Sequence, residues 1–154
     1  MSVTVPDADT MTRLGQRMGA HLRAGDALCL SGPLGAGKTT LTRGIAVGLG
    51  SPAAVSSPTF VISRRYRGGR VDLVHCDAYR LSPDDDFVDV VPDPESVVTV
   101  VEWGGGVMAA IADSWLEVDI VRPTGEGDDV RTVTFRAVGS EWDDERMVLL
   151  TGDS

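Results

Sequence analysis

Ala27-Leu28-Cys29-Leu30-Ser31-Gly32-Pro33-Leu34-Gly35-Ala36-Gly37-Lys38-Thr39-Thr40-Leu41 is the stretch that decides the fold. Its first four residues are apolar and bounded by Gly25-Asp26 and Gly32, which predicts a short buried strand. A helix is expected from Lys38 to about Leu49, with Leu41, Ile45 and Leu49 on one face and Gly50 as its stop. Between them, Gly32 to Thr39 fits the pattern G-x-x-x-x-G-K-[ST]. Glycines at those places let the backbone curl until successive N–H groups point at one anion. The helix that follows adds its positive end. In such a loop Lys38 bridges the β- and γ-phosphates of a nucleotide, and the Thr39 hydroxyl ligates Mg²⁺. Lys38 is the only lysine of the chain, beside thirteen arginines. It stands at the one place that wants a compact ammonium.

Outward from the loop, Ser2–Val5 is expected as a short strand. Asp7 to about Arg23 is expected as a helix capped by Asp7 or Asp9, with Met11, Leu14, Met18 and Leu22 at helical spacing. Phe60–Arg67 and Arg70–Cys76 flank Gly68-Gly69 and read as an antiparallel hairpin. Val97–Val101 is apolar and almost wholly β-branched, as suits a strand buried on both faces. Gly104-Gly105-Gly106 breaks it, and Val107–Ala112 looks helical. Trp115–Val121 and Val130–Val138 alternate as strands do, and Glu141–Leu150 is a last helix. Parallel units surround the loop and antiparallel additions follow. The expected fold is α/β: one P-loop NTPase domain over residues 1–154, a three-layer sandwich with a mixed sheet. Its C-terminal tail, about 140–154, is expected to be peripheral.

Composition narrows the class. At 154 residues, 42% hydrophobic and 24% charged, the chain suits a single globular domain. No apolar run is long enough to span a bilayer, and the N-terminus has no signal-peptide pattern. Cys29 and Cys76 both lie in apolar strand-like runs, so buried reduced thiols and a cytoplasmic location are expected. A net charge of −9 disfavours direct binding to DNA or RNA. Arg64, Arg65, Arg67 and Arg70 form the one basic cluster, read first as a solvated hairpin face.

The second carboxylate of a phosphate-loop magnesium site usually ends a neighbouring strand. Glu102 ends the run Val97–Val101, and Asp77 ends Val71–Cys76. Both are candidates, with Glu102 the first choice. The acids at 84–86, 128, 129, 143 and 144 lie in polar clusters and read as solvated. Guanine-specific switches use Asn-Lys-x-Asp or Thr-Lys-x-Asp. The chain has no asparagine, and its one lysine belongs to the loop, so adenine is the expected base. Contacts to it are sought near Ala8–Thr12. His75 is expected to be packed and hydrogen-bonded, His21 to lie on the surface, and no Cys/His spacing suggests zinc.

Four motifs are now in hand: Leu34-Gly35-Ala36-Gly37-Lys38-Thr39-Thr40, Ser57-Pro58-Thr59-Phe60, His75-Cys76-Asp77-Ala78-Tyr79-Arg80-Leu81 and Val101-Glu102-Trp103. Their order and spacing resemble the TsaE family, bacterial P-loop ATPases needed to make threonylcarbamoyladenosine in tRNA. The resemblance runs from about Leu14 to Trp103 and is weaker through the C-terminal strands. It implies an ATPase, weak alone, that acts with a TsaD–TsaB pair and meets tRNA only indirectly. TsaD performs the transfer to the adenosine next to the anticodon; the ATPase resets the complex between turnovers. The resemblance places the phosphates on Leu34–Thr39 with Thr40, and Mg²⁺ on Thr39 and Glu102. It gives Asp77 a part in hydrolysis and puts Thr59 in a switch-like segment near the γ-phosphate. Trp103 is placed near the nucleotide or the partner. The chain departs from the family at Pro33, where an acid is more common, in a shortened segment around Asp84–Asp89, and at Gly104–Gly106. Two other readings are a small-molecule kinase on the same scaffold and a nucleotide-dependent scaffold with negligible turnover. The hairpin straight after the loop helix is not how such kinases continue.

Overall fold

The computed structural model describes residues 1–33, 35–52, 63–78, 90–122 and 129–152. Strands β1 (Ser2–Val5), β2 (Ala27–Ser31), β3 (Ser63–Tyr66), β4 (Leu73–Asp77), β5 (Val98–Glu102), β6 (Trp115–Val121) and β7 (Arg131–Val138) form one sheet among these residues. Its order is β1-β7-β6-β2-β5-β4-β3. The four central strands, β6, β2, β5 and β4, are parallel. β3 is added antiparallel at one edge, and β7 then β1 at the other. The mixed α/β sheet is the one expected, and β2 stands at its centre.

Alternation along β2 sorts its side chains. Leu28 and Leu30 enter the larger core with helices α1 (Ala8–His21) and α2 (Lys38–Leu49). Ala27 and Cys29 face a smaller core closed by the segment around Val91 and Val97 and by a short helix, α3 (Met108–Ile111). Cys76 lies in that second core too, on β4, with β5 between it and Cys29. Two strand spacings of about 4.8 Å put the thiols beyond disulfide reach. Burial pushes the Cys76 thiol up to about 12.

Helix α1 starts at the expected cap: Asp7 accepts from the Thr10 N–H and hydroxyl, and those bonds hold its carboxyl below the usual carboxylate value. Helix α2 ends as expected at left-handed Gly50. The two helices touch through glycines: Gly15 and Gly19 of α1 meet Gly44 and Gly48 of α2 backbone to backbone.

Two expectations are corrected. The hairpin does not turn on Gly68-Gly69 alone, because Tyr66 pairs with Leu73 and residues 67–72 all lie in the connection. That connection caps α2 instead: the Arg70 N–H donates to Leu49 O at 2.7 Å and the Ser51 hydroxyl to Arg67 O at 3.1 Å. Of the basic cluster, Arg65 pairs with Asp72 and Arg70 donates to Gly19 O, so these two hold the fold. Phe60 lies outside the described residues.

The second correction concerns the C-terminal tail. Residues 142–151 are not peripheral: Trp142, Met147 and Leu150 are buried in the larger core, the last two on helix α4 (Asp144–Thr151). Arg146 of α4 forms a buried ion pair with Asp26, which also accepts from the Arg23 N–H, and its guanidinium stacks on Trp142. Removing one partner leaves a buried charge uncompensated. Asp26→Ala is therefore expected to cost about 3 kcal/mol or more of unfolding free energy. Urea titration of the variant against the parent chain checks this; an unchanged midpoint refutes it.

Candidate functional site: a phosphate loop with two strand-end acids

The loop from Gly32 to Gly37 leaves the C-terminal end of β2, the end at which parallel α/β sheets bind ligands. Its glycines carry positive φ: 149° at Gly32, 80° at Gly35 and 116° at Gly37, the residue that opens α2. A side chain at Gly32 would also meet Ile120 O at 2.6 Å. The Ala36 N–H donates to Pro33 O at 3.0 Å, so the stiff Pro33 contributes its carbonyl to the turn. Leu34 lies outside the described residues.

Lys38 points back into the site and is buried. Its ammonium donates to Gly32 O at 2.5 Å, lies 3.9 Å from Glu102 Oε1 and sits 4.1 Å from the centre of the Trp103 ring. Burial pulls its pKa below the ordinary 10.5, against the opposing charges of Glu102 and Asp77. The Lys38 ammonium is thus held in the site at a desolvation cost that the two neighbouring acids partly offset.

The two candidate acids are neighbours. Asp77 at the end of β4 is in register with Glu102 at the end of β5. Sequence alone offered them as alternatives; the sheet brings both to the same edge, beside β2. Glu102 is 7% exposed, and its Oε2 lies 2.8 Å from His75 Nε2 on β4. His75 is fully buried, packed and hydrogen-bonded as expected, but its partner is the candidate metal ligand itself. That pairing was missed in the sequence. The available signal was a histidine inside an apolar strand on the face that ends in Asp77. His21 is exposed, as expected.

Trp103 follows Glu102 with φ of 61°, a left-handed conformation unusual for a bulky residue. Its N–H donates to Leu30 O at 2.8 Å, which ties the turn to β2, while 45% of the residue stays exposed. Thr39 occupies the second position of α2, half-buried. Thr40 lines a cavity of about 190 Å³ that Gly35–Gly37 share with Ala8 and Met11 and with three charged residues, Asp7, Asp129 and Arg131. Thr59, Tyr79 and Arg80 lie outside the described residues. A larger cavity, about 880 Å³, opens at the other end of the parallel strands, beside Asp26, Ser114 and Trp142, and holds none of the expected site residues.

A parallel sheet core with a glycine-rich loop between β2 and α2, and acids ending the next strands, defines the P-loop NTPase fold. The family model "Threonylcarbamoyl adenosine biosynthesis protein TsaE" matches residues 5–133. A Streptomyces coelicolor protein described as tRNA threonylcarbamoyladenosine biosynthesis protein TsaE is 46% identical, over 92% of this chain and 100% of its own. The Bacillus subtilis protein of the same description is 40% identical, over 80% of this chain and 77% of its own. The crystal structure of Bacillus subtilis YdiB superposes with a TM-score of 0.74 at 30% identity, over 97% of this chain and 90% of that one. The chain belongs to the TsaE family.

Proposed function

We propose that this chain is the ATP-binding and ATP-hydrolysing component of tRNA threonylcarbamoyladenosine biosynthesis, acting in the cytoplasm with a TsaD–TsaB pair. One observation carries the ATPase reading: the buried Lys38 ammonium faces Glu102 at the mouth of a glycine-rich loop, with Asp77 in register beside it. Family membership carries the pathway. The −9 net charge favours meeting tRNA through partners over binding it directly.

The residues present fit Mg²⁺. Thr39 and Glu102 offer hard oxygen donors, and Mg²⁺ commonly takes only one or two protein ligands beside nucleotide phosphates. Bound there, the ion would supply charge neutralisation between the β- and γ-phosphates. The chain's own groups do the rest. His75 holds the Glu102 carboxylate in one orientation through Nε2. Lys38 moves its ammonium from Gly32 O to the phosphates. Asp77 would orient an attacking water, and Thr59 is the candidate switch contact to the γ-phosphate. Gly35–Gly37 and Thr40 cradle the phosphates. The adenosine moiety is assigned to the cavity beside them, bounded by Ala8 and Met11 at the start of α1 and by Asp7, Asp129 and Arg131. Trp103 covers Lys38 from the solvent side.

Activation is expected to come from Arg80 or from an arginine of a partner. Steady-state ATPase assays of the purified chain, alone and with TsaD–TsaB, test this. Turnover is expected to be low alone and at least about tenfold higher in the assembly. Hydrolysis as fast by the isolated chain as by the assembly refutes the partner-dependent reading. Phosphate transfer to a small-molecule acceptor would replace it with a kinase.

A further inference from the structure

We propose that Arg131, at the start of β7, is a positioning residue that holds the phosphate loop in its binding shape. This rests on the nucleotide reading of the loop. Arg131 is remote from the loop in sequence, yet its Nε donates to Ala36 O at 2.9 Å and its Nη2 to Gly35 O at 3.2 Å. A third donor, Nη1, reaches Val130 O at 3.0 Å and fixes the guanidinium plane against its own strand. β7 is itself pinned between β6 and β1, with Arg131 in register with Val5. The grip is therefore anchored in the sheet.

The consequence follows from peptide geometry. In a planar trans peptide the C=O and the N–H point in opposite directions. Holding the Gly35 and Ala36 carbonyls turns the N–H groups of Ala36 and Gly37 away from Arg131. The Ala36 N–H accordingly points across the loop, where it closes the turn on Pro33 O. A phosphate loop works by aiming such N–H groups inward. Packing does not do this here: a side chain at Gly35 would meet nothing within 4 Å. With glycines at 35 and 37 the backbone has unusual freedom, and a bidentate guanidinium from a neighbouring strand restrains it. Lysine would not substitute, since a point ammonium does not span two carbonyls in one plane.

Three chains are compared: the parent, Arg131→Gln and Arg131→Lys. Calorimetric titration with Mg-ADP, hydrogen exchange at the Ala36 and Gly37 amides without nucleotide, and thermal melting are measured on each. Both variants are expected to melt within a few degrees of the parent and to exchange faster at those amides. Their affinity should fall about tenfold, the factor equivalent to about 1.4 kcal/mol of loop ordering. Steady-state kinetics in the assembly should show the loss in KM with kcat nearly unchanged. Unchanged loop exchange in the variants overturns the proposal, and so does parent-like affinity in Arg131→Gln. A parent chain that binds no nucleotide overturns the nucleotide reading instead, and the exchange result still decides the clamp. If Arg131→Gln does not fold, Arg131→Lys, which keeps the stem and the charge, carries the same test.

Discussion

Lys38→Ala is expected to reduce affinity for Mg-ATP by at least about a hundredfold, with a melting temperature within a few degrees of the parent. Its ammonium is lodged at the mouth of the loop, among Gly32 O, Glu102 and the Trp103 ring. Charge-assisted contacts to two phosphates would each be worth about 1.5–3 kcal/mol, so losing them exceeds any other single loss expected at this site. Stability should respond far less. Burial already works against the charged lysine, so its removal relieves a desolvation cost while it deprives Glu102 of a partner. Glu102 keeps its bond to His75. Calorimetry with Mg-ATP, paired with a thermal melt, separates the two effects. Parent-like affinity would sink the loop assignment; a collapse of the melt with lost binding would show instead that Lys38 supports the fold.

How much of this was legible in the sequence depends on how local each feature is. The β2–loop–α2 unit was readable because each cue lies within a turn or a strand of the next: an apolar run, glycines at fixed offsets, Leu41, Ile45 and Leu49 at helical spacing. Asp77 and Glu102 were readable as strand ends. Their pairing was not, because it depends on β5 lying between β2 and β4. The hairpin was half-readable: the two strands exist, but the glycines between them serve the end of α2 as much as a turn. Arg131 gave no local sign, since its targets are fixed only when β7 closes beside β6. The last helix was legible as a helix, but not that Met147 and Leu150 on it, with Trp142 just before it, enter the larger core. Long-range partners leave no periodicity behind.

The glycines inside α1 and α2 show this limit most sharply, and they carry the largest expected effect on folding. By propensity alone, Gly44→Ala in a helix interior should stabilise the chain by about 1 kcal/mol. The structure reverses the sign. A methyl group at Gly44 would overlap the Thr12 carbonyl and lie 3.0 Å from Gly15 Cα and 3.1 Å from Gln16 N. All three are backbone atoms of α1, so no rotamer change relieves them. Gly15 faces the same approach from the other side, 2.9 Å from Gly44 Cα. The helices must separate, and over-packing of this kind costs about 3 kcal/mol, more than the propensity gain. Gly44→Ala is therefore expected to lower stability by about 2 kcal/mol, and Gly44→Ala with Gly48→Ala to leave little folded protein, given domain stabilities of about 5–15 kcal/mol. Gly105→Ala is the control, since a methyl group there meets nothing within 4 Å. The effect should reach the site as well. Met11 of α1 lies against Gly37, where a Cβ would come within 3.2 Å of its Cε, so pushing α1 from α2 moves the packing that backs the loop. Urea titration of the three variants decides it: a Gly44→Ala chain as stable as the parent, or more stable, would mean that the helices part without cost and that propensity governs this interface.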